Sequence, residues 1–356
     1  MISLKTEICE LLGIDYPIIQ AGMAGGATTV ELVAAVSEAG GLGSLGAAYM
    51  APDDLRKAIE EIRQRTSKNF AVNIFASKET DDFSRLDEVQ NPLNRFRAEL
   101  QIENGGSQYE SPDWSEAQFD ICIELDVPII STAFGCLSPR QMAAAEQKGI
   151  KVIAMVTTVE EALQAERSGA AAIVAQGSEA GGHRSTFSLD KHPAGALVGT
   201  MSLVPQVVDA VKIPVIAAGG ITDGRGLLAS IILGAQAVQI GTRFLTSAES
   251  GAHPVYKRAI FNSTEESTVV TKSFSGRPAR GIKNRFIEEF EASGVAPLPF
   301  PSQNTATKDI RAAAAKNSKP EFMSLWAGQS TRALTEEQGA AEIVRSIMEE
   351  AQRIYD

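Results

Sequence analysis

Of the three histidines in this 356-residue chain, one stands where a side chain could do chemistry. His183 lies in QGSEAGGHRSTF, residues 176–187, directly after the run AAIVA at 171–175, which reads as a buried strand. An imidazole titrates near neutrality, so at a strand mouth it can act as an acid, a base or a charge-stabilising group. His192 and His253 each precede a proline and read as loop residues. In the same stretch Gly181 and Gly182 read as turn punctuation. Glu179 reads as a cap for the following turn, and Arg184 as an ion-pairing or loop-ordering residue.

Polar and small residues recur at other strand ends. Gln20, Ala21, Gly22 and Met23 end YPIIQAGM, Asn73 interrupts FAVNIFA, Ser131 and Thr132 sit in VPIISTAF, and Gln176 precedes the histidine loop. An amide both donates and accepts, which suits the mixed edge of a heterocycle. AAGGITDGRG (217–226) places Gly219 and Gly220 between a strand and a helix, and QIGTRF (239–244) does the same with Gln239, Ile240, Gly241 and Thr242. Such a corner lets a phosphate approach backbone N–H groups and a helix N-terminus. GLGSLG at 41–46 has the spacing of a dinucleotide loop but follows a helix and enters a strand, the reverse of what that loop needs. Walker A, H-E-x-x-H and G-x-S-x-G patterns are absent.

These groups need a scaffold that gathers strand ends on one face. Apolar β-rich runs at 16–23, 42–48, 70–76, 127–134, 151–157, 171–176, 214–218 and 237–241 alternate with helix-period segments. Eight such units in about 250 residues predict an α/β fold, a (β/α)8 TIM barrel with its site on the C-terminal face. Residues 77–113 are a polar insertion with one helical piece, and 246–334 read as a smaller inserted lid. The predicted division is a barrel of residues 1–245 and 335–356, its last helix near 336–354, and a lid of 246–334.

A net charge of −11 without a Lys/Arg cluster argues against nucleic acid. The chain shows neither a leader pattern nor a long apolar stretch, which predicts a cytoplasmic protein with no membrane partner; a homo-oligomer is allowed for. Cys9, Cys122 and Cys136 are too scattered for a metal site or disulfide framework and read as small buried hydrophobes.

Taken together, YPIIQAGMAG, VNIF, AQGSEAGGHR, IPVIAAGGI, QIGTRFLTS and KSFSGRPARG resemble the FMN-dependent nitronate monooxygenases, along essentially the whole chain. The resemblance implies a TIM barrel holding FMN. Gln20, Ala21, Gly22 and Met23 would run along the ring. Asn73, Gln176, Gly181, Gly219, Gly220, Gln239, Ile240, Gly241 and Thr242 would make the remaining cofactor contacts. His183 matches the catalytic histidine, and Lys272, Ser275 and Gly276 fall in the lid. The implied reaction takes a small alkyl nitronate, such as propionate 3-nitronate, and O2 to a carbonyl compound and nitrite. His183 would either hold the nitronate oxygen as a cation or, when neutral, take the α-proton of a nitroalkane. The flavin-dependent enoyl-acyl-carrier-protein reductases share barrel, flavin corner and histidine loop, and differ in needing NAD(P)H and an acyl tunnel. A non-catalytic barrel for a phosphorylated ligand is the third reading.

Overall fold

The computed structural model describes residues 4–356. Its strands in chain order are β1 (Ile18–Gln20), β2 (Gly43–Gly46), β3 (Phe70–Phe75), β4 (Ile129–Ala133), β5 (Lys151–Val156), β6 (Ala172–Gln176), β7 (Gly182–His183), β8 (Val215–Ala218), β9 (Ala237–Ile240), β10 (Thr268–Thr271) and β11 (Ala279–Ile282). Eight of them form one parallel sheet in the order β1-β9-β8-β6-β5-β4-β3-β2. A parallel bridge between Ile19 and Leu42 joins the two ends, so the sheet closes on itself. The architecture is the (β/α)8 barrel that the alternation predicts.

Apolar side chains on both faces of each strand explain the closure. Ile19, Ala71, Ile129, Ile153, Val174 and Ile216 fill the interior, and the helix Glu7–Leu12 plugs its N-terminal end with Ile8, Cys9 and Leu12. The opposite faces of the strands pack outward on helices, as Ile18, Ala175, Ala217 and Val238 do on Leu32, Leu203, Leu227 and Ile343. Each fully buried aliphatic side chain stabilises the fold by about 1.5–3 kcal/mol. The barrel's last helix, Ala340–Tyr355, buries Ile343, Val344 and Ile347 against helices Gly224–Ile232 and Val30–Glu38, which anchors it despite its distance in sequence from β9. Local signals set the ends of several helices. Ser138 and Gln141 form a capping box on Pro139–Gln147, and the Thr29 side chain accepts from Leu32 N at the start of Val30–Glu38.

The two insertions pack on each other. Helix Leu86–Leu100 from the first shares an apolar cluster with Phe274, Phe286, Phe290 and Phe322 from the second. Arg97, fully buried, donates to Asp309 Oδ2 at 2.7 Å and to the Ala306 carbonyl at 2.7 Å across that junction. Three helices of the second insertion, Arg285–Ala292, Ser302–Ala306 and Lys308–Lys316, lie outside the sequence-based expectation. β10 and β11 pair antiparallel, and β11 in turn pairs with the short β7, setting Ala279 opposite His183. No helix among the described residues is long and apolar enough to cross a membrane.

Candidate active site

A cavity of about 590 Å³ opens at the C-terminal ends of the barrel strands, within the range of about 300–1,000 Å³ typical of ligand sites. Of the expected site residues, Ala21, Gly22, Met23, Asn73, Gln176, Gly181, His183, Gly219, Gly220, Gln239, Gly241 and Thr242 line it. Gln20 and Ile240 do not. The Gln20 amide is fully buried at the seam between β1 and β2, where Oε1 accepts from Ser44 N at 2.9 Å and Nε2 donates to Ser44 O at 3.2 Å. Its side chain extends the strand ladder that closes the barrel. Ile240 packs in the apolar layer between barrel and helices.

One corner of the cavity is built from backbone. Gly219 and Gly220 have φ of 110° and 74°, a left-handed region that residues with a Cβ rarely enter. Gly241 has an ordinary φ of −105°, and a Cβ there would meet only Ala21 Cβ at 3.7 Å. No protein contact demands glycine at that position, so the room it leaves belongs to the cavity. The N–H groups of Gly220, which is exposed, and of Gly241 and Thr242, which are half-buried, donate to no backbone carbonyl among the described residues. The neighbouring helix Thr200–Ala210 is already served. Glu179 accepts from Thr200 N at 3.0 and 2.9 Å and from its hydroxyl at 2.9 Å, capping that helix rather than its own turn. Backbone N–H groups without a backbone acceptor thus remain at the glycine corner, while the helix start at Thr200 is occupied by Glu179.

The histidine loop is stitched from both sides. Gln176 Nε2 donates to His183 O at 3.0 Å while its Oε1 accepts from Ser185 N at 2.9 Å. Arg184, with no exposed surface, donates to Gly177 O and Gln176 O at 2.7 Å each and to Ala196 O at 3.2 Å. It orders the loop and makes no ion pair among the described residues. Gly181 serves the inserted segment as well as the cavity, since a Cβ there would lie 2.6 Å from Ala327 C and Gly328 N. Besides any clearance that the resemblance implies for a planar cofactor, glycine at 181 leaves room for the backbone of the inserted segment. Asn73 Nδ2 donates to Ser131 Oγ at 2.9 Å, which orients its amide at the cavity wall.

His183 stands where barrel loop and insertion meet. Its Nε2 lies 2.8 Å from Ser275 Oγ, and Nδ1 has no partner among the described residues. Phe134, Phe300 and Trp326 surround the ring at centroid distances of 5.8, 6.1 and 5.5 Å. Arg277 lies over Phe134, 3.9 Å from its centroid, and donates to Glu79 and to the Thr186 carbonyl. His183 is half-buried and lines the cavity. Burial pushes its pKa down to about 3, and the guanidinium charges of Arg277 and Arg311 push the same way. The ring is neutral at pH 7.

Several cavity groups escaped the sequence reading: Tyr49, Phe134, Trp326, Arg311, Ser330 and His253 all line the cavity. His253 also caps helix Pro254–Phe261, Nδ1 accepting from Val255 N at 3.2 Å. No strand-end position announces most of them, because they come from the insertions. Ser275 and Arg277 lie in KSFSGRPARG, where paired arginines between glycines and prolines were the available signal. Among the described residues no cluster of three or more His, Cys, Asp or Glu could hold a metal.

Comparison with known proteins agrees with this geometry. The family model described as nitronate monooxygenase matches residues 5–350. A protein of Staphylococcus aureus (strain Newman) named probable nitronate monooxygenase is 46% identical over 333 residues, 93% of each chain. Among solved structures, nitroalkane oxidase from Streptomyces ansochromogenes superposes with a TM-score of 0.90 at 36% identity, covering 98% of both chains. FabK from Thermotoga maritima gives a TM-score of 0.78 at 36% identity, covering 98% of this chain and 97% of its own. A match over nearly the full length, on a barrel whose strand-end corner and half-buried histidine converge on one cavity, is conclusive for membership: the chain belongs to the nitronate monooxygenase family.

Proposed function

We propose that the protein binds FMN at the glycine corner and oxidises small alkyl nitronates with O2, giving a carbonyl compound and nitrite. The unclaimed N–H groups of Gly220, Gly241 and Thr242 suit the phosphate. Ala21, Gly22 and Met23 offer a thin, small-residue wall for the ring, with the amides of Asn73 and Gln239 at its edge. Bound there, FMN would supply the redox chemistry between the donor and O2.

The chain's own residues select the donor. The observation that carries the reading is a neutral, weakly basic His183 beside two guanidinium groups. A base with a pKa of about 3 is poorly matched to removing a carbon-bound proton from a neutral nitroalkane. A nitronate arrives already ionised and needs no such step. Arg277 and Arg311 favour its negative charge in a water-poor site. The Ser275 hydroxyl proton has two acceptors in reach, His183 Nε2 at 2.8 Å and Arg277 O at 3.1 Å. Given to the closer one, it leaves the ring's own proton on Nδ1, facing the cavity as a donor to a nitronate oxygen. Phe134, Phe300 and Trp326 exclude water around that contact.

An oxygen electrode tests the reading. The FMN-loaded protein should take up O2 and release nitrite when ethyl nitronate is added without pyridine nucleotide. Reduction of the flavin by NAD(P)H alone, with no O2 uptake on nitronate, would overturn it in favour of a reductase.

A further inference from the structure

Of the four non-glycine residues with positive φ among those described, only Phe134 lines the cavity. Its φ of 71° lies in the left-handed region that a bulky side chain rarely enters, and such a conformation persists only where the surroundings dictate it. Three contacts do so. Phe134 N donates to Ser185 Oγ at 3.1 Å, the ring centroid lies 4.5 Å from that of Phe75, and the Arg277 guanidinium covers one face at 3.9 Å. The ring so held meets the His183 imidazole nearly edge-on, at 82°.

Arg277 is itself held from the surface. It is 1% exposed, does not line the cavity, and keeps Nε buried without a partner. Glu79 is the one acid it bonds among the described residues, and the Thr186 carbonyl is its other acceptor. The Glu161 carboxylate, whose charge also reaches Arg277, is taken up by the Thr157 N–H and hydroxyl and by Phe187 N. A buried guanidinium with a single bonded counter-charge depends on that partner for its place. Glu79 is exposed and stands at the start of the polar insertion at 77–113, which contributes no residue to the cavity lining. Contacts thus run from Glu79 to Arg277, from Arg277 to Phe134, and from Phe134 to His183. Resting on the function proposed above, we propose that Glu79, Arg277 and Phe134 are positioning residues that fix the orientation of the His183 imidazole. The first insertion then acts on turnover without touching substrate or cofactor.

The test reads the imidazole directly. Histidine labelled with 13C gives a Cε1–H signal from each of the three histidines, and that of His183 is the one lost in His183→Ala. Phe134→Leu should shift this signal by removing the neighbouring ring, Arg277→Met should shift it by releasing that ring, and Glu79→Gln should shift it less. With ethyl nitronate, Arg277→Met and Phe134→Leu should each lower kcat about 10- to 100-fold, the scale of a displaced reacting group, with KM nearly unchanged. The double variant should be no slower than the slower single one, because both break the same line of contacts. Arg277→Lys, which keeps a cation over the ring, should recover part of the rate. An unmoved His183 signal in Arg277→Met would overturn the proposal: a merely structural arginine lowers the melting temperature and leaves the imidazole of folded molecules where it was. A raised KM at unchanged kcat would overturn it too, since Arg277 would then act by charge alone. If Arg277→Met does not fold, Arg277→Lys and Glu79→Gln carry the same comparison. If no nitronate is turned over, the proposed function fails, while the His183 signal still decides the positioning role.

Discussion

The cavity has two walls built on different principles. The barrel wall presents backbone and small side chains, and its polar groups are largely tied to one another: Asn73 to Ser131, Gln176 to His183 and Ser185, Arg184 to three carbonyls. The inserted wall presents arginine, lysine and aromatic side chains, several with donors the protein does not use. Rigidity and shape come from the first, charge and selectivity from the second. A cofactor is the same in every turnover and suits a fixed cradle, whereas a substrate is recognised by groups that stay unpaired until it arrives.

This contrast can be broken at defined points. His183 sits between the walls, and its substitution has the largest expected effect. His183→Ala should lower kcat/KM for a preformed nitronate by about 10²- to 10³-fold, the scale of a lost donor to a developing charge, with flavin content unchanged. His183→Asn, which keeps an N–H donor, should recover part of that loss; equal losses in the two variants would argue against the donor role. Arg184→Met strikes the barrel wall. Leaving three buried carbonyls without their partner should cost about 3 kcal/mol in a urea melt. An unchanged midpoint would show that the loop is ordered by other contacts. Gly241→Ala isolates the cradle from the fold. The methyl meets the protein only at ordinary contact distance, so the apoprotein should melt as before while FMN binding weakens about tenfold.

The smallest effect is in pH. The His183 pKa is depressed from 6.5 to about 3 on folding. Between those values the unfolded chain holds a proton that the folded one does not. Stability from this group is therefore complete above about pH 6.5 and lost as pH falls toward 3. The slope of unfolding free energy against pH in that window should flatten in His183→Ala. In the wild-type protein, kcat/KM for a nitronate should show no ionisation near 6.5.

The sequence disclosed the two walls unequally, for the same physical reason. Barrel strands alternate with amphipathic helices, so period and glycine placement located β1 to β6, β8, β9 and the residues at their ends. Gln20 was misjudged because an amide at a strand end reads the same whether it meets a ligand or, as here, completes the ladder beside Ser44. Gly181 was placed correctly in the cavity, but the neighbour that requires it, Ala327–Gly328, lies far along the chain. Arg311 could not be picked out at all, since nothing local in KDIRAAAAK says which way a side chain points once two insertions fold together, whereas Tyr49, just beyond β2 in GAAYM, was passed over at a strand end. The His183–Ser275 contact spans 92 positions and depends on β7 pairing with β11.

That pairing constrains how the cavity can be entered. His183 is itself a rung of a ladder whose other side is β11, and Ser275 hangs from the same inserted segment. Lifting this flap away from the barrel would drag the imidazole out of register with the glycine corner. Entry that leaves His183 in place must therefore avoid the β7–β11 side of the rim.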